Sequence, residues 1–244
     1  MVTKTQYKVR AFLLLIPFFI VLVALFMPWY PGSKGGKING LDYFDNFFNE
    51  VSKGSSFSEE AQAKLMKTAE GLSDPAFKSA IKMKGDKKAK YSPEDAAQTA
   101  AKLLTVAGLQ ATAEGDKVTM AGDLGVLAKT VIQDSVAMYN NKGDVLQGKY
   151  GLEPKQALYT WHQVMDGLGK SLTKAEKFEA AKTLQNFMTK AIEPAYNYYG
   201  VKVTPVKEEM IFLAFALIFY VVYTMWYGFG ILYLFEGFGV VIGH

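Results

Sequence analysis

The segment MIFLAFALIFYVVYTMWYGFGILYLFEGFGVVIGH (210–244) closes the chain, and its reading decides the fold. From Met210 to Phe235 no charged residue interrupts it, a run longer than the roughly 20 apolar residues a helix needs to cross a hydrocarbon core. Yet Glu236 and five glycines (Gly228, Gly230, Gly237, Gly239 and Gly243) lie within or just beyond that run. Glycine weakens a helix in water, but in lipid it lets helices approach closely, and close packing is a main source of their association. At about 100° per residue, Gly228, Gly239 and Gly243 fall on one side with Ala214, Val221 and Leu232, and Glu236 falls close beside them. Gly230 and Gly237 fall nearly opposite. Two glycine faces predict two neighbours, one of them the chain's own first apolar segment and the other a helix of a further subunit. Glu236 is expected either in the headgroup layer or in a buried contact with a partner helix or an ion path.

The first apolar segment is AFLLLIPFFIVLVALFMPWY (11–30). It is too long for the apolar region of a signal peptide, and no small-residue cleavage pattern follows it, so a retained anchor is expected. Trp29 and Tyr30 suit the headgroup level. Lys4, Lys8 and Arg10 precede it and predict a cytoplasmic N-terminus (1–10). A second span at 210–235 returns the chain to the same side, leaving 236–244 as a short cytoplasmic tail. Residues 31–209 are then expected outside the cytoplasm, in the periplasm or at the cell exterior of a bacterium whose inner membrane holds the protein.

Composition narrows the chemistry. The chain carries no cysteine, which removes disulfides, thiolate catalysis and iron–sulfur clusters. A net charge of +4, supplied almost wholly by lysine with Arg10 the single arginine, argues against a nucleic-acid reader. No Walker loop, dinucleotide fingerprint, H-E-x-x-H or G-x-S-x-G motif occurs. His162 and Asp166, four residues apart, form a candidate pair on one helical face, and activity built on them is the one exception to a non-catalytic reading. No cofactor or metal is expected.

Between the spans, helical punctuation dominates. LDYFDNFFNE (41–50) spaces Tyr43, Phe44, Phe47 and Phe48 as an amphipathic helix, buried in a domain core or laid on a membrane surface. Ser58 precedes an acidic first turn, and Ser92-Pro93-Glu94-Asp95 reads as a capping box. Asp74-Pro75 reads as a third helix start. Gly115-Asp116, between alternating segments, predicts a two-residue hairpin. Helices follow at about 123–140, 154–169 and 173–199, with 140–153 as a loop and a kink or break at Pro194. The lysine run KMKGDKKAK (82–90) is a solvated linker or, through Lys82, Lys84, Lys87, Lys88 and Lys90, a patch for anionic headgroups or an acidic partner.

The fold class predicted is mainly α: two transmembrane helices flanking an extracytoplasmic bundle of about six helices with one small β-hairpin. The function expected is that of an accessory or structural subunit of a membrane complex. Its partners would be membrane lipid and other integral membrane subunits, or further copies of itself in a homo-oligomer. The alternative is an extracytoplasmic module that binds a small molecule or lipid and hands it to a membrane partner.

Overall fold

A computed structural model describes residues 2–32, 35–85 and 91–240. The chain is mainly helical with a small sheet, and it divides into two compact units, Met1–Ser52 with Val203–His244, and Lys53–Lys202.

The first unit is built on two helices long and apolar enough to cross a membrane, α1 (Lys4–Phe26) and α10 (Val206–Phe238). A Thr3–Gln6 capping box starts α1, and Gly239, in the left-handed conformation at φ 75°, ends α10. The 33 residues of α10 make about 50 Å, more than a hydrocarbon core is thick. Outward side chains on both helices are apolar and exposed, such as Leu13 at 67% and Ile211 at 88%, the reverse of a core helix in a water-soluble domain. A two-residue pairing of β1 (Tyr30–Pro31) with β2 (Lys37–Ile38) leads into α2 (Gly40–Ser56).

The second unit begins in the last turn of α2 and continues through α3 (Glu59–Glu70), capped by Ser58 as expected. Three antiparallel strands follow in the order β3-β5-β4: β3 (Phe77–Lys82), β4 (Gln110–Glu114) and β5 (Lys117–Gly122). The Gly115-Asp116 turn joins β4 to β5 as the sequence predicts, but β3 replaces the helix read after Pro75. Its residues alternate, with Phe77 and Ile81 buried and Lys78, Ala80 and Lys82 exposed, and that period of two suits a strand. The capping box of Ser92 and Asp95 starts α4 (Pro93–Val106), and Gly108 at φ 91° follows its end.

Four more helices follow: α5 (Leu124–Tyr139), α6 (Gly143–Tyr150), α7 (Pro154–Lys174) and α8 (Phe178–Phe187). Helix α6 occupies the stretch expected as a loop; Leu146 and Tyr150, one turn apart, are buried and anchor it. Helix α7 runs five residues past its expected end at Gly169, because Gly167 and Gly169 lie inside it rather than after it. A Cβ at Gly167 would meet Ile81 of β3 at 3.0 Å, so that glycine admits the strand. Before Pro194 the helix widens into a π-helical stretch, Met188–Ile192, and continues as α9 (Glu193–Asn197). The Glu193 N–H donates to Met188 O, a five-residue step next to the proline that can donate nothing. Among the described residues of 31–209, more helices therefore form than the about six expected there. Trp161, Leu103, Leu127, Ile132 and Phe187 are among the side chains closing one continuous core.

Candidate partner-contact surface of the apolar helix pair

Helices α1 and α10 meet along the side of α10 that carries Gly230 and Gly237. A Cβ at Gly230 would lie 2.6 Å from Leu15 Cδ2, and one at Gly237 would lie 3.0 Å from the backbone nitrogen of Lys8. These two glycines admit the first helix, one of the two neighbours the glycine pattern predicts. Polar groups reinforce the seam: the Tyr223 hydroxyl donates to Phe18 O at 3.1 Å, and Trp226 Nε1 donates to Leu14 O at 3.0 Å. The Phe18 ring stacks on Tyr223 at 4.3 Å.

The other glycine face divides. Around Gly228, apart from its own helix backbone, nothing among the described residues lies within 4 Å of where a Cβ would be. Gly239 is the left-handed cap of α10, and Lys4 Nζ of α1 lies 2.7 Å from its would-be Cβ. Expecting it to line a helix face assumed that the helix continued, and the helix stops there. Glu236 is exposed, and Gly243 lies outside the described residues.

Next to the α1 seam runs an apolar groove of about 770 Å³, lined by Leu14 of α1 and by Val222, Met225, Trp226, Phe229 and Tyr233 of α10. At about 100° per residue the five α10 residues recur on one side, and Glu236, seven residues after Phe229, continues that line. The sequence reading missed this groove because its lining is large and aromatic, whereas glycine drew attention elsewhere.

The aromatic cluster of α2 packs on α10 and takes no part in the core of the second unit. Tyr43, Phe44 and Phe47 gather around Phe212 of α10, with ring centroids 4.7–6.3 Å apart, and Tyr30 stacks on Tyr43 at 5.4 Å. From Phe212 the rings continue through Phe215 and Phe219 to Tyr223, making an aromatic spine along α10.

In the second unit the candidate His162–Asp166 pair does not form. Asp166 pairs with Lys170 at 2.5 Å, and His162 Nε2 lies 4.0 Å from Glu193, beside a cleft of about 180 Å³. Among the described residues no group of His, Asp and Glu side chains converges as a metal site. Lys82 and Lys84 are exposed, and Lys87, Lys88 and Lys90 lie outside the described residues.

Two buried polar centres have no sequence signal beyond their residue type. Asp134, 3% exposed, accepts from Lys149 Nζ at 2.9 Å, from Trp161 Nε1 at 2.8 Å and from the Tyr150 hydroxyl. Burial, then the Asp134 charge, pushes the Tyr150 phenol well above its ordinary range. Lys53 is fully buried, and its ammonium donates to Asn141 Oδ1 and to the carbonyls of Tyr198 and Val201 at 2.7–3.0 Å. All three acceptors are neutral, and burial lowers the Lys53 pKa. Asn141, at φ 60°, also accepts from Gly200 N and donates to Val201 O, so this cluster clasps the two ends of the second unit.

No protein-family model matches the chain, and no curated protein or solved structure shows significant similarity to it.

Proposed function

We propose that the protein is a non-catalytic, membrane-anchored subunit of a bacterial membrane complex, held in the inner membrane by α1 and α10. Its second unit faces the periplasm or the cell exterior. The observation that carries this reading is the apolar groove at Leu14, Val222, Met225, Trp226, Phe229 and Tyr233, which the chain's own helices leave open although they fill the Gly230–Gly237 face. A helix from a neighbouring subunit, or from a second copy, is the occupant that buries such a surface in lipid. Topology follows from Lys4, Lys8 and Arg10 ahead of α1.

Purification in mild detergent followed by native mass measurement tests this. Wild type is expected as a defined assembly, and Met225→Trp, which fills the groove yet keeps it apolar, is expected to release the single chain. A wild-type preparation that is monomeric throughout contradicts the reading. The alternative, a ligand-carrying module, draws on a cleft of about 550 Å³ between α7 and α8, bounded by Met165, Phe178 and Met188. It requires a bound small molecule in the same mass spectrum.

A further inference from the structure

β3 is an edge strand, because the sheet runs β3-β5-β4 and, among the described residues, no strand pairs with its outer side. The hairpin fixes which groups are free. Glu114 and Lys117 pair across the two-residue turn, so the odd-numbered residues of β5 face β4 and the even-numbered ones face β3. The partners of those even residues are Ser79, Ile81 and, one step beyond the strand, Met83, whose N–H donates to Asp116 O at 2.8 Å. Lys78, Ala80 and Lys82 therefore aim their backbone N–H and C=O groups at the open edge. Lys84, of the same parity, shows that such groups take partners: its N–H donates to Gln163 Oε1 of α7 at 3.0 Å.

Along this edge runs a groove of about 480 Å³, with Ala80, Ile81 and Lys82 on the strand side and Gly167, Lys170 and Lys174 on the α7 side. Lys84 and Lys117 also line it. Five lysines there meet two carboxylates in ion pairs, Asp116 on Lys82 and Asp166 on Lys170, and among the described residues Lys84, Lys117 and Lys174 form none. Lysines on an edge discourage self-pairing, since a second copy would bring like charge to like charge. They favour a strand of opposite sign.

We propose that this edge binds an extended acidic segment of a partner protein by strand addition. Main-chain hydrogen bonds to Ala80 and its even-numbered neighbours supply the pairing, and the lysines of the groove supply the selection. The surface lies wholly within Lys53–Lys202, so the inference does not depend on the membrane reading.

The test uses the full chain in nanodiscs of zwitterionic lipid and a labelled peptide of alternating Glu and Val, read by fluorescence anisotropy. Binding of this peptide is expected, with no binding of the Lys-Val equivalent. N-methylation of alternate backbone nitrogens of the acidic peptide keeps its charge and is expected to abolish binding. The double variant Lys84→Glu/Lys174→Glu is expected to weaken binding by about tenfold or more. Ala80→Pro, which removes an outward N–H without touching the β5 ladder, is expected to lose binding while the melting temperature is retained. Equal binding of the N-methylated peptide, indifference to the charge reversal, or binding of anionic vesicles with none of the peptide overturns the proposal.

Discussion

Lys53 sits in the last turn of α2, where its charge suits the helix dipole but its burial opposes it. Because folding lowers its pKa, the unfolded chain holds the proton more tightly, and stability rises with pH between the lowered value and the ordinary 10.5. Urea titrations from pH 7 to 10 should therefore show wild type gaining stability relative to Lys53→Met as pH rises; a constant difference would mean that the ammonium is not desolvated. Asp134 has the opposite sign and three donors, so Asp134→Ala should cost about 3 kcal/mol by leaving Lys149, Tyr150 and Trp161 unpaired. Glu176, at φ 59° just after α7, holds a left-handed backbone with no side-chain bond among the described residues, and Glu176→Gly should stabilise by about 1 kcal/mol in the same titrations. None of these three residues stands out in the sequence. Lys53 looks like any lysine on an amphipathic helix, and its acceptors come from residues 141, 198 and 201.

At the scale of elements, legibility followed local chemistry. The Ser92–Asp95 box, the Ser58 cap, the Gly115-Asp116 turn and the two apolar helices are set by neighbours in sequence, and each was readable there. β3 was not, because Asp74-Pro75 imitates a helix start while the alternation that favours a strand is rewarded only by pairing with β5, some forty residues away. The seam of α1 and α10 was half readable: glycine spacing marked two faces, but only the structure assigns Gly230 and Gly237 to the chain's own helix. Gly237→Leu should therefore separate α1 from α10, because the backbone of Lys8 cannot yield as a side chain can. Gly228→Leu should leave that pair intact. Cysteines introduced at Ala11 and at Ala216, in a chain without native cysteine, would report the difference through labelling rates. Equal effects of the two changes would show that Gly237 is tolerated rather than required.

For the molecule as a whole, two helices long and apolar enough to cross a membrane accompany a closed, largely helical unit whose polar centres are internal. For the subunit role proposed above, the deciding question is whether the groove beside Trp226 is covered in a membrane. Photo-crosslinking reports this directly, with a benzophenone side chain at Phe229 in the groove and, as control, at Tyr220, 70% exposed and on another side of α10. A discrete adduct of higher mass at Phe229, absent at Tyr220 and lost when Met225→Trp is added, is the predicted result. Lipid adducts alone at both positions would contradict the account.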